Sequence, residues 1–533
     1  MALMSSGTGR TRGLPKTSST TVATISKRAT VRGRAKKVDE PVEAEPPTAK
    51  RKKDADESDG DAVPEQKRAK RVTPQPKKPK IKGPLRRGGK KTIVNQLRYT
   101  RPFKAFVFGE GSSGELGLGS SSKAIDVKRP RLNPNLADAD VVQVSCGGMH
   151  VVALTKDNRI LTWGVNDNGA LGRDTSNAPV KMIDIDDADS DASSDSDPGL
   201  NELEATPIAI PAEYFPEDTE FVDVAAGDSC SFFLTTEGAV YGCGTFRKNE
   251  GVLGFARGVD TARRPMYISE LKKITQIACG TNHVLALDAD GHMWAWGNGQ
   301  QCQLGRRITE RGIIESLVPT RLGFNDSTVR RPSKQIVKII CGDYHAFAIA
   351  KDGHVWSWGA NNYAEAAQPD NAGEDNASVS TPTVVHALEG CKVVDISGGL
   401  HHNIALTSDG DCLIWGRCDG SQTGIPLDEL SKIDDDAVVL KTETTNKPKI
   451  LIRPTVIPGL RDIAFVAAGP EHTIVLNKAG RAYSWGFSAN YQTGQGSYAD
   501  VDTPTLIDNT ATREEKLVFA GAGGQYSIVA SYK

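Results

Sequence analysis

A repeat constrains this chain more than any other feature. The stretch VVQVSCGGMHVVALTKDNRILTWGVNDNGALG, Val141 to Gly172, recurs along the sequence. FVDVAAGDSC opens a copy at Phe221, ITQIACGTNH at Ile274, IVKIICGDYH at Ile336, VVDISGGLHH at Val393 and IAFVAAGPEH at Ile463. A last copy begins at Leu517, and the half it lacks stands at Phe103 to Gly117, FKAFVFGEGSSGELG. Six whole repeats and one divided repeat make seven. A fixed period signals units that bury their faces against their neighbours.

Within a repeat, a β-branched alternating run is followed by a Gly-x-x-His turn and a second apolar run. A polar turn comes next, then a third strand ending in Trp-Gly and a Gly-rich loop. Short strands of this kind bury one another when arranged radially, which also leaves few open sheet edges. The expectation is an all-β, seven-bladed β-propeller. The C-terminal strands are expected to pair with Phe103–Phe108 and so close the ring.

Five histidines, His150, His283, His345, His401 and His472, are read at the repeated turn position, with Cys230 and Tyr526 standing in for it in two blades. One such side chain per blade suits a structural hydrogen bond to a neighbouring loop better than a metal or catalytic site. The variable pairs before it, read as Gly148-Met149, Asp228-Ser229, Thr281-Asn282, Asp343-Tyr344, Gly399-Leu400, Pro470-Glu471 and Gly524-Gln525, should gather on one face around the central channel. Side chains on such loops are free to serve binding. Trp163, Trp296, Trp358, Trp415 and Trp485 are read as core fillers.

One loop departs from the pattern. From the glycine after the third strand to the closing position, six blades count eight steps; Gly244 to Gly254 counts ten. The extra residues fall within TFRKNEG, and an extension on one blade of a ring makes a projection.

The segments NDNGALGRDTS (Asn166 to Ser176) and TFRKNEGVLG (Thr245 to Gly254) resemble the regulator of chromosome condensation family, and the likeness covers residues 100–533. That resemblance implies guanine-nucleotide exchange on the Ran GTPase, with no cofactor. It implies that Thr245, Phe246, Arg247, Lys248, Asn249, Glu250 and Gly251 form a wedge against the GTPase. Asp228 and His401 match family positions facing the GTPase, and Asn282 stands where animal members carry Asp. LGRRITERGIIESLVP, Leu304 to Pro319, resembles the family's switchback loop. Arg306, Arg307 and Arg311 are therefore the candidates for gripping the acidic patch of the histone core.

Charge separates a tail from a body. Residues 1–100 carry a net charge of +16 and residues 101–533 a net of −17. Residues 1–98 are too poor in apolar side chains to offset their ordering entropy and are read as a disordered basic tail. Residues 99–533 are read as the propeller. Lys50, Arg51, Lys52, Lys53 and Lys67, Arg68, Lys70, Arg71 form clusters that suit a nuclear import receptor and the phosphates of DNA. The resemblance implies both roles, and with them a nuclear, chromatin-associated protein. The acidic body favours a basic partner surface. Two insertions, 174–205 (acidic) and 426–452 (a mixed polar loop), carry no functional reading.

Nine cysteines without a C-x-x-C pair argue for reduced thiols and against zinc. No apolar run is long enough for a membrane span, and the first residues lack the core of a signal peptide. P-loop and nucleophile-elbow motifs are absent. A covalent enzyme on this scaffold therefore has no support from motifs. A chromatin-bound scaffold without exchange activity stays open as the alternative; the ten-step loop and Asp228 favour exchange.

Overall fold

A computed structural model describes residues 82–86, 89–176, 200–324 and 336–533. The inner strand of each repeat, such as Val141–Cys146, is followed by a second strand, His150–Thr155, that is buried along its whole length. The second strands of the other blades are equally buried but for two last residues, Asn477 of His472–Asn477, which is half-buried, and Tyr532 of Tyr526–Tyr532, which is exposed. Both faces of a blade are thus covered by its neighbours, so these strands read as continuous apolar runs. Outer strands such as Asp126–Leu132 and Val501–Leu506 are mostly exposed.

Seven blades result. Blade 1 joins the chain ends: Phe103–Glu110 pairs with Tyr526–Tyr532 from Phe103↔Tyr532 to Gly109↔Tyr526, as the divided repeat implied. Blades 2 to 7 follow in sequence, with inner strands starting at Val141, Phe221, Ile274, Ile336, Val393 and Ile463. The core lies between blades. Phe106, Val151, Trp163 and Ile474, from three different blades, belong to one apolar cluster.

Two expectations need correction. Residues 426–452 are not a plain loop: Leu427–Ser431 is helical, and Val439–Lys441 pairs with Pro448–Val456 as a fifth strand of blade 6. Leu430, Val439 and Leu451 are buried beneath it, so this insertion brings its own apolar anchors. The folded part also starts before residue 99. Asn95 donates from Nδ2 to Thr235 O and Ile274 O, both at 2.9 Å, and Arg86 pairs with Glu237 at 2.7 Å. These contacts hold the segment against blades 3 and 4. The two import clusters, Lys50–Lys53 and Lys67–Arg71, lie outside the described residues, as does most of insertion 174–205. The edges of that insertion are fixed: Arg173 donates to Thr162 O (2.8 Å) and Leu203 O (2.7 Å).

Candidate functional site

In a four-stranded antiparallel blade, the turn from first to second strand and the loop from third to outer strand lie at the same end. All the Gly-x-x-His turns and the ten-step loop therefore share one face of the ring. The turns are tied together by backbone hydrogen bonds: Gly148 N to Gly227 O, Asp228 N to Thr281 O, Thr281 N to Asp343 O, Asp343 N to Gly399 O, Leu400 N to Pro470 O and Gly524 N to Gly148 O, at 2.9–3.3 Å. The gap from blade 7 to blade 1 lacks this bond because Pro470 has no N–H. The belt explains the turn glycine. A Cβ on Gly147 would lie 2.2 Å from Gly227 O, and one on Gly399 2.2 Å from Gly469 O.

The belt also corrects the reading of blade 6. Its second strand begins at His402, which pairs with Gly416 as His150 pairs with Gly164. Gly398 is the last residue of the inner strand, where other blades carry Cys or Ala. His402 is the repeated histidine, and the variable pair is Leu400-His401. His401 is thereby a loop side chain on the binding face.

The repeated histidines are structural. His150 Nε2 meets Ser231 Oγ at 2.9 Å, His345 Nε2 meets Asn403 Oδ1 at 2.5 Å, His402 Nε2 meets Thr473 Oγ1 at 2.8 Å and His472 Nε2 meets Ser527 Oγ at 2.9 Å. Each partner is the second residue of the next blade's second strand. His283 finds Ala346 at that position of the next blade, and both of its ring nitrogens are buried without a partner among the described residues. Burial pulls the pKa of His150 and His472 down to about 4 and that of His283 and His402 down to about 3. An ¹⁵N-detected imidazole titration is expected to find these four rings neutral at pH 5, where a solvated imidazole is protonated. The unfolded chain takes up the protons that the folded one declines. Each ring's contribution to stability is therefore complete above pH 6.5 and is lost as the pH falls, towards 4 for His150 and His472 and towards 3 for His283 and His402, at about 1.4 kcal/mol per unit.

The tryptophans clasp neighbouring blades. Trp163, Trp358, Trp415 and Trp485 donate from Nε1 to the carbonyls of Glu115, Gln303, Glu365 and Gln422 at 2.8–3.1 Å. Those carbonyls belong to the preceding blade's third-to-outer loop, so the clasp fixes that loop beside the belt.

Polar side chains converge on this rigid face. Asp343 is pushed up to about 6, first by burial and then by the carboxylates of Asp228 and Glu471; it remains ionised at neutral pH. Glu471 is held by Gln422 Nε2 at 2.6 Å and by Arg417 at 3.5 Å. His401 Nδ1 lies 2.7 Å from Oε1 of Glu365, a carboxylate with no solvent exposure, and its ring lies 4.5 Å from that of Tyr363. Glu365 and Tyr363 were not singled out in the sequence, because they stand more than 35 residues before His401 and no spacing rule joins them. Among the described residues, the one group with metal-ligand potential is Asp288, Asp290 and His292, in a polar hairpin turn at the opposite end of blade 4.

The ten-step loop is a hairpin of its own: Phe246–Lys248 pairs with Gly251–Gly254 and joins no blade. Phe246 roots it, fully buried against Phe232 and Phe255 at ring distances of 6.1 Å. Arg247, Asn249 and Glu250 are exposed at its tip, and Thr245 Oγ1 closes the base on Asp260 O at 2.6 Å. Asn282 is only 7 % exposed, and its Oδ1 accepts Arg247 N–H at 2.7 Å. It thus faces the hairpin rather than open solvent.

The 304–319 stretch forms two 3-10 turns, Glu310–Gly312 and Ile314–Leu317, packed beneath the hairpin. Its arginines separate. Arg306 is half-buried, with its Nη atoms near Ala295 O at 3.4–3.5 Å, and burial lowers its pKa. Arg307 and Arg311 are exposed and form no ion pair among the described residues.

Comparison with known proteins agrees with this architecture. The sequence model for the RCC1-like domain matches residues 104–529. The guanine nucleotide exchange factor SRM1 of Saccharomyces cerevisiae is 39 % identical over 442 residues, covering 81 % of this chain and 88 % of that protein. Protein pim1 of Schizosaccharomyces pombe is 37 % identical over 90 % of this chain and 83 % of its own. A crystal structure of Prp20p from S. cerevisiae, a study of its binding to Gsp1p and histones, is 37 % identical with a TM-score of 0.72, covering 81 % of this chain and 92 % of that one. Another, of yeast RCC1 (Prp20) bound to Kap60, is 35 % identical with a TM-score of 0.72 over 85 % and 97 %. With the seven blades, the belt and the hairpin in place, the chain belongs to the RCC1-like domain family.

Proposed function

We infer that this protein is a guanine-nucleotide exchange factor for the Ran GTPase, acting on chromatin in support of nucleocytoplasmic transport and of spindle and nuclear-envelope assembly. The observation that carries this reading is the Thr245–Gly254 hairpin, which among the described residues is the one two-stranded ribbon outside the blades and lies on the belt face. The name of the S. cerevisiae relative SRM1, a guanine nucleotide exchange factor, agrees with it. A GTPase holding nucleotide with nanomolar to picomolar affinity commits about 12–16 kcal/mol. The factor must bind the empty GTPase comparably well, so that factor and nucleotide weaken each other by the same coupling free energy. No covalent bond is made or broken, and the GTP:GDP ratio sets the direction.

The residues divide the task. The acidic belt side chains Asp228 and Asp343, with His401 oriented by Glu365, hold a basic partner surface, while the hairpin enters the nucleotide site. Arg307 and Arg311, free of ion pairs among the described residues, suit the acidic patch of the histone core better than Arg306, whose guanidinium already lies against backbone carbonyls. The basic tail reaches DNA and a nuclear import receptor, which places the protein in the nucleus. Among the described residues, no helix is long and apolar enough to cross a membrane.

The first test is release of labelled GDP from purified Ran with catalytic amounts of this protein. Multiple-turnover acceleration is expected; none from folded protein would favour the chromatin scaffold instead. Asp228→Ala and His401→Ala are each expected to slow exchange about ten- to a hundredfold, the 1.5–3 kcal/mol range of a charged hydrogen bond. Asp228→Ala should leave the thermal midpoint within about 2 °C, whereas His401→Ala strips the buried Glu365 carboxylate of a partner and should lower it while the protein stays folded. Wild-type rates in both variants would remove these residues from the partner surface.

A further inference from the structure

The hairpin raises a mechanical question, since a two-stranded ribbon is marginal on its own in water. Phe246 and Leu253 root it in an apolar cluster, but among the described residues none of 247–252 is hydrogen-bonded to a strand of blade 3. The support comes from blade 4. Asn282 Oδ1 accepts Arg247 N–H at 2.7 Å, and Asn298 Nδ2 donates to Arg247 O at 3.0 Å. Gln300 Oε1 accepts Asn249 N–H at 3.1 Å and also receives Asn298 Nδ2 at 3.2 Å. Both backbone groups of Arg247 are thus held by side-chain amides of another blade. Asn298 N–H in turn donates to Asn282 O at 2.7 Å, which ties the two asparagines to each other. Asn298 is 4 % exposed, so water competes poorly for its amide.

We propose that Asn282, Asn298 and Gln300 form an amide clasp that sets the pose of the hairpin and act as positioning residues for nucleotide exchange. The inference rests on the exchange reading above and adds that blade 4, across an inter-blade gap, determines where the tip points. A held tip meets the partner without first losing conformational freedom, whereas a loose one must be ordered at the moment of exchange. The roles differ in chemistry. Asn282 serves only as an acceptor towards Arg247, and a carboxylate can do the same. Asn298 must donate, which a carboxylate cannot do.

The test is steady-state exchange on Ran·GDP with the full chain, alongside amide hydrogen exchange of residues 246–251. Asn282→Ala and Asn298→Ala are expected to lower kcat about tenfold with KM within about twofold, since the clasp acts after encounter. Asn282→Asp should retain more activity than Asn282→Ala, while Asn298→Asp should do no better than Asn298→Ala. The Arg247 amide should exchange faster in Asn282→Ala, and the Asn249 amide faster in Gln300→Ala. Unchanged protection of both amides would overturn the clasp. So would a raised KM with intact kcat in Asn282→Ala, because that outcome makes Asn282 a partner contact. If the wild-type protein fails to accelerate GDP release, the exchange reading falls, and the hydrogen-exchange comparison still decides whether the clasp holds the hairpin.

Discussion

Deleting Asn249 and Glu250, which returns the loop between Gly244 and Gly254 to the eight steps of its six counterparts, is expected to reduce exchange at least about a hundredfold. These two residues form the turn of the hairpin. Their removal leaves Phe246 in its aromatic packing and Thr245 on Asp260 O, so blade 3 keeps its core. A loss of about 3 kcal/mol in the step that expels nucleotide corresponds to that factor. The readouts are kcat for GDP release, affinity for the GTPase, affinity for nucleosomes, and the thermal midpoint. The expected pattern is a collapsed kcat, a midpoint within about 2 °C of wild type, and nucleosome affinity unchanged, because Arg307 and Arg311 lie outside the deletion. A deletion variant that exchanges at the wild-type rate would falsify the assignment of the hairpin as the element that acts on the nucleotide.

This loop was legible in the sequence because it breaks a count that is otherwise constant. The ring was legible for a similar reason: alternation and the Gly-x-x-His turn are local signals repeated often enough to define a period, and the divided repeat dictates closure. The frame of blade 6 was not. Gly398-Gly399 followed by His401-His402 offers two alignments one residue apart, and the pairing of His402 with Gly416 and the approach of Gly399 to Gly469 O select one. The clasp was hidden for another reason. Asn298 and Gln300 stand 51 residues from the backbone groups they hold, on a blade whose own repeat is regular. Residues 426–452 looked polar because charged and hydroxyl side chains separate the apolar positions that fold them, Leu430 and Val439, which meet Leu451 only in the folded blade. Asn282 looked like a partner-facing residue by position, and its use on the hairpin backbone is a matter of three-dimensional placement alone.

Adjacent glycines in blade 2 should separate fold from function. Gly147 and Gly148 are chemically identical, and neither has a positive φ, so backbone strain does not distinguish them. Their surroundings do. A Cβ at Gly147 would meet Gly227 O at 2.2 Å, a backbone atom of the next turn. Relief requires moving that turn, and in a closed ring the displacement has no free end at which to dissipate: each turn is bonded to the next in all but one gap. Gly147→Ala is expected to destabilise the propeller by about 3 kcal/mol or more, at the upper end of overpacking costs. A Cβ at Gly148 would meet only Asp228 Oδ1 closely, at 2.5 Å, with the next atom at 3.5 Å. A carboxylate can rotate away, and the corresponding positions of other blades already carry Asp228, Thr281, Asp343 and Leu400. Gly148→Ala is therefore expected to cost less than about 1 kcal/mol in stability. The rotated carboxylate is the one assigned to the partner surface, so exchange should still slow, towards the level of Asp228→Ala. Urea unfolding and GDP release on the two variants decide the matter. Equal stability losses would mean that the belt yields as a whole. A stable Gly148→Ala variant with wild-type exchange would mean that the Asp228 carboxylate does not need its present orientation. The dissociation expected here follows from how the belt is built: the backbone of the first two residues of each turn carries the ring, and the side chains of the second and third are what the ring presents.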